Sequence, residues 1–199
     1  MKTLPVLLIF LLALLFSCAP HRDQNDCNRY LEKAMALHIE KRIQELSLEI
    51  GLQQDTLLPG TPIYRADGQQ LSLHDLLEPE NILLFRYSNL SCNACNVPIL
   101  QAIDAFKEEH PDARIAIIAS YDNLRTFSSF CRTYSGKVPV YFVYPHHATG
   151  AFRASIPPYF CIASPEGIIR APFIVPKELD GMAEAYLGQI RPLLSPGSS

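Results

Sequence analysis

The sequence predicts an α/β fold, a central mixed β-sheet flanked by helices, with an extra N-terminal helix. Three observations lead there. Continuous apolar runs of strand length, such as Ile82-Leu83-Leu84-Phe85 and Ile115-Ala116-Ile117-Ile118, alternate with segments of helical periodicity. The last strands are joined by a short turn at Pro165-Glu166-Gly167, a hairpin connection that makes part of the sheet antiparallel. The chain, 199 residues of which 48% are hydrophobic, suffices for one buried core plus a targeting segment.

In chain order, the first helix runs from about Asp26 to Ile50, where Leu31, Ala34, Met35, Ile39, Ile43, Leu46 and Ile50 recur at steps of three and four. Packing of this stripe on the chain's own domain is the simpler expectation; a docking or dimerising helix is the other. His38, among these residues, has no obvious ligand partner nearby. Pro59, Gly60 and Pro62 break the helix, and Ile63-Tyr64 with Leu71 and Leu73, about a turn at Asp67-Gly68, suggest a short hairpin. The apolar run from Ile82, ending at Tyr87, reads as a buried central strand. Its successor is a helix with Ile99, Leu100, Ile103 and Phe106 on one face, stopped by Pro111. Arg114 to Ala119 is a second buried strand, and Asp122 to Tyr134 a helix ended by Gly136. Val138 to Tyr144 and Pro157 to Ser164 are the third and fourth strands. Ile168-Ile169 and Phe173-Ile174-Val175 complete the hairpin, and Lys177 to Leu194 forms the last helix. No internal repeat is visible.

The N-terminus carries a targeting signal. Met1-Lys2 supplies a positive start, and the non-polar stretch from Leu4 to Phe16 is too short for a permanent membrane span and has the shape of a secretory signal. Leu15-Phe16-Ser17-Cys18 resembles a bacterial lipobox, although Phe16 is bulkier than the usual occupant of its position. That resemblance implies a lipid on Cys18, an anchor in the bilayer, and a cell-envelope lipoprotein facing the periplasm. Ala19 after the cysteine, rather than Asp, favours the outer membrane over the inner. Without its signal the chain keeps 16 basic against 20 acidic residues, a net charge of −4. No cluster of Lys and Arg suits a nucleic-acid partner. Export places the six cysteines where disulfides form. With Cys18 acylated, Cys27, Cys92, Cys95, Cys131 and Cys161 remain, an odd number that cannot pair completely within one chain.

The chemistry centres on Cys92-Asn93-Ala94-Cys95, placed after a buried strand and at the start of a helix. Unpaired N–H groups and the positive end of the helix dipole stabilise a thiolate there, so Cys92 is the expected nucleophile. Cys95 can reach back over one helical turn to close a redox-active disulfide with Cys92, and is the expected resolving thiol. A zinc site needs two further ligands; His146-His147, the close His pair, lacks a second CxxC or finger spacing, so no metal and no cofactor is expected.

From about Thr61 to Leu194 the chain resembles the thioredoxin superfamily, specifically the redoxin or TlpA-like branch of envelope thiol-disulfide oxidoreductases. Four segments carry the resemblance: Ala66-Asp67-Gly68 with Leu71-Ser72-Leu73, Ile82 to Tyr87 leading into Cys92 and Cys95, Pro158-Tyr159-Phe160, and Glu166-Gly167-Ile168. The resemblance implies a thioredoxin-like domain over 59–195, after a signal peptide at 1–17 and a tether with its helix at 18–58. It also implies a cis-proline facing the CxxC, at Pro158 or alternatively Pro157, where a substrate strand binds.

The chain departs from the family pattern in two places. Ser91 stands where relatives place Trp before the first Cys, and Arg86 where many have a buried acid. An Arg86 aimed at the motif would lower the Cys92 pKa and make the pair more oxidising; one aimed at solvent would do neither. Cys161, three residues past Pro158, and Cys131, beside Phe127, Phe130 and Tyr134, read as core residues. Cys27, placed before the first helix, is a candidate for an intermolecular disulfide.

These features make the expected function disulfide exchange with protein thiols or disulfides, reset by an upstream envelope redox partner. Its alternatives are a non-enzymatic binding module on this fold, a copper-delivery protein using His146 or His147, and a peroxiredoxin-type peroxidase. The last lacks a hydroxyl three positions before Cys92, where Asn89 stands.

Overall fold

The computed structural model of the chain describes residues 21–88, 93–153, 155–176 and 181–194, without the side chains of 21–28 and 93–95. Two compact units divide it, Met1–Gln44 and Glu45–Ser199. The division falls within helix α1 (His21–Gln53). Cys27 therefore lies inside this helix rather than before it.

In the first unit the apolar residues of α1 are exposed, among them Leu31 at 60%, Met35 at 57% and Ile39 at 56%. In the second, Leu46 and Ile50 of the same stripe are exposed as well, so this part of the stripe is not what packs on the sheet domain. The reason is the rotation of the last turns. Glu45 and Leu52 are buried, and Glu49 Oε1 accepts the Ile174 N–H at 2.9 Å, which turns the side carrying 45, 49 and 52 inward.

The second unit is built on one seven-stranded sheet: β1 (Pro62–Tyr64), β2 (Gln70–Ser72), β3 (Ile82–Ser88), β4 (Ile115–Ser120), β5 (Val140–Val143), β6 (Tyr159–Ala163) and β7 (Ile169–Ile174). Their spatial order is β2-β1-β5-β4-β3-β6-β7. β3, β4 and β5 run parallel, with Phe85 beside Ile117 and Ile117 beside Val140. The other pairs are antiparallel. Around the sheet lie α2 (Leu73–Leu77), α3 (Asn93–Glu109), α4 (Leu124–Thr133), α5 (Met182–Ile190) and two short 3₁₀ turns at Gly150–Phe152 and Arg191–Leu194.

Strand alternation divides the core in two. Leu83, Phe85 and Tyr87 of β3 face a cluster with Ile103 of α3, Phe127 of α4 and Leu187 of α5. Leu84 faces the other side, where Leu73 and Leu77 of α2, Phe152 and Ile156 pack. Leu73, expected as the last residue of a hairpin, instead opens α2. Ser72 caps that helix in a reciprocal box with Asp75, whose side chain accepts the Ser72 N–H at 2.9 Å. The turn into β7 requires glycine: Gly167 has φ +84°, and a Cβ there would strike the Leu57 carbonyl.

Candidate functional site

β3, an interior strand, ends at Ser88 and α3 opens at Asn93, so the CxxC falls in the chain where β3 gives way to α3. Cys92 lies outside the described residues. Cys95 is in the first turn of α3, its side chain likewise undescribed. α3 runs on through Pro98, which forgoes one N–H bond of the helix ladder.

Register brings the two prolines towards the C-terminal end of β3. Arg86 of β3 pairs with Tyr159 of β6 in antiparallel register, the last pair of that ladder, and Pro157 and Pro158 directly precede Tyr159. Pro158 is buried and Pro157 half-buried. Neither is cis, contrary to the expectation from the family pattern: among the described residues the cis bond is Glu78–Pro79. The approach to β6 is held in a trans path at two carbonyls. That of Pro158 accepts the Val175 N–H at 3.1 Å, and that of Ile156 accepts Arg86.

Arg86 neither reaches over the motif nor meets solvent. Its side chain is fully buried on the sheet face opposite α3, where Nη1 donates to the Ile156 carbonyl at 2.6 Å and Nη2 to that of Phe152 at 2.8 Å. Burial lowers its pKa to about 10, against a smaller opposing effect of Tyr159, and Nε has no partner. Tyr159 adds a third bond to the same loop, donating to the Ala151 carbonyl at 2.9 Å. The cross-strand pair thus clamps the 3₁₀ turn that precedes the prolines.

Cys161 is also on this far face, beside Leu84, and burial pushes its thiol up to about 12. It is a core residue. Cys131 on α4 is half-buried, and burial raises its pKa too. His146 stacks on Tyr144 while His147 meets both rings edge-on, and among the described residues no group of three potential ligands could hold a metal.

The motif's own face of the sheet holds a feature that motif reading overlooked. A cleft of about 500 Å³ runs between α3 and α4. Its deep residues are Tyr87, Asn96 and Leu100, all buried. Asn96, directly after Cys95, is 3% exposed and its Nδ2 has no hydrogen-bond partner among the described residues. The signal was a polar residue at a core position of α3, one turn before Ile99 and Leu100. One wall is the stacked pair Phe130 and Tyr134, centroids 5.6 Å apart. At the far end Asp104 Oδ1 accepts the Tyr134 hydroxyl at 2.9 Å and the Lys137 N–H at 2.8 Å. Gly136 permits this closure, since a Cβ there would collide with the Tyr134 ring. Burial and the Asp104 bond hold the Tyr134 hydroxyl in its neutral form. Deeper in, the hydroxyls of Tyr87 and Tyr121 bond each other at 3.2 Å.

A parallel β3-β4-β5 core, antiparallel strands β6 and β7 beyond β3, and a helix following the central strand define the thioredoxin fold. Solved structures agree. A protein of Aquifex aeolicus VF5, named for a proposed role in electron transfer, superposes with TM-score 0.52 at 15% identity, over 70% of this chain and 94% of that one. Peroxiredoxin Q of Xanthomonas campestris does so with TM-score 0.51 at 16% identity, over 70% and 96%. The peroxidoxin BcpB of Mycobacterium tuberculosis gives 0.50 at 14%, over 67% and 93%. No family model and no curated relative matches the chain.

Proposed function

We propose that this chain is a thiol-disulfide oxidoreductase of the bacterial envelope, held to the membrane by a lipid on Cys18. What supports this is the place of the motif along the chain: Cys92 falls in sequence between β3 and α3, and Cys95 lies in the first turn of α3, on a thioredoxin-like fold. A thiolate there gains from the free N–H groups and dipole of α3. Cys92 attacks one sulfur of a client disulfide, forming a mixed disulfide and releasing a client thiolate. Cys95 then attacks the Cys92 sulfur, closing the Cys92–Cys95 bridge and releasing the second client thiol. Two electrons pass to the client, and an upstream dithiol must return them. Pro157 and Pro158, which lead into β6 next to the C-terminal end of β3, would form the rim on which a client strand lies.

The test is a redox titration of the full chain in detergent, quenched by alkylation and mapped by mass spectrometry. Reversible two-electron exchange between Cys92 and Cys95, within the potential range of envelope couples, is the expected result. A bridge that stays locked, or never forms, overturns the proposal and leaves a binding module or a copper-delivery protein.

A further inference from the structure

We propose that the cleft between α3 and α4 is a client-reading subsite, seating an uncharged apolar or aromatic side chain and the adjoining backbone carbonyl of an extended polypeptide. This rests on the function proposed above and names what the site would recognise.

Three features of the cleft specify the chemistry. At its buried floor Asn96 holds an unsatisfied N–H, which calls for an acceptor such as a peptide carbonyl. At the other end Asp104 has committed only Oδ1, so Oδ2 remains for a donor such as a peptide N–H. Between them Val97, Leu100 and the Phe130–Tyr134 stack offer apolar and aromatic surface. Among the described residues no Lys, Arg or His lines the cleft, so a carboxylate or phosphate would find Asp104 and no counter-charge there. Asn96 and Asp104 are eight residues apart on one helix, about 12 Å, which three or four residues of extended chain would span. Asn96 directly follows Cys95 in the chain, so the Asn96 end of the cleft is the one that would receive the part of the segment next to the reacting cysteine.

The probe is a blocked pentapeptide with Phe two residues before its Cys, the Cys joined by a disulfide to 5-thio-2-nitrobenzoate, paired with the same peptide carrying Ser for Phe. Reduced full chain in detergent attacks this disulfide through Cys92. The coloured thiolate leaves, and Cys95 then closes on Cys92 to release the peptide thiol, so the Cys92–Cys95 pair is oxidised as the peptide disulfide is reduced. The Phe peptide should react about tenfold faster at sub-saturating concentration. Val97→Asp at the rim and Asn96→Leu at the floor should each remove most of that preference. Equal rates in the unaltered chain, or a preference surviving both substitutions, overturns the proposal.

A non-reactive Phe peptide with Ser for its Cys separates this inference from the one beneath it. Shifted Phe130 and Tyr134 resonances without exchange by the reactive peptides would support the cleft and sink the oxidoreductase. Exchange without preference would do the reverse. N-acetyl-phenylalaninamide binding as tightly as the whole peptide would replace the client segment by a small neutral ligand.

Discussion

The two faces of the sheet use their buried polar side chains differently. On the face away from the motif, Arg86 and Tyr159 spend three donors on three carbonyls of one loop, with the Arg86 Nε–H left over. On the motif's face, Asn96 leaves a donor unspent beside an open cleft. A buried polar group that the chain satisfies holds the fold together; one that it does not satisfy has a stability cost that binding can recover. The first face sets the shape of the approach to the prolines, and the second is free to meet a ligand.

Substitutions on either side should break this contrast in order of size. Arg86→Met strands two buried carbonyls and should cost about 3–5 kcal/mol, read as a lowered urea midpoint at unchanged m-value. Gly167→Ala, on the same face as the clamp, should cost about 2–3 kcal/mol through its positive φ and the Leu57 carbonyl. Alkaline pH acts next. Burial lifts the Cys161 thiol from 9.0 to about 12, so the unfolded chain loses that proton first. Stability from this group is complete below pH 9 and drains away towards pH 12. The loss should be about 2 kcal/mol at pH 10.5, and urea melts of Cys161→Ala should show a flatter decline. Buried Tyr159 and Tyr186, both raised by burial, add in the same direction. Tyr159→Phe deletes one clamp bond for about 1 kcal/mol. Asn96→Leu should stay within about 1 kcal/mol of the unaltered protein, because no donor is left wanting. A large loss there would erase the distinction between the faces.

Local signals made most of the sheet legible. The runs at 82–85 and 115–118 fall within β3 and β4, buried throughout because helices or loops cover both sides of a parallel core. The Asp67-Gly68 and Glu166-Gly167 turns fall between the strands they were expected to join. Long-range demands escaped. Nothing local in Arg86 tells that carbonyls about 70 residues away will claim it. The family pattern suggested a cis bond at Pro158, whereas the carbonyls flanking it are held along a trans path. The stripe of α1 promised packing, but one carboxylate bond from Glu49 and the burial of Leu52 fix which side turns inward.

That carboxylate has a further consequence for solubility. β7 is an outer strand, the kind of border on which a second molecule can template itself. Here the template is spoiled along its length. Thr56 bridges to Ile168 just ahead of the strand, Ala171 kinks the backbone at φ 46°, Pro172 has no hydrogen to donate, and Glu49 occupies the Ile174 N–H. A stray strand approaching this border meets blocked or missing donors, so the β7 edge is closed to growth by accretion.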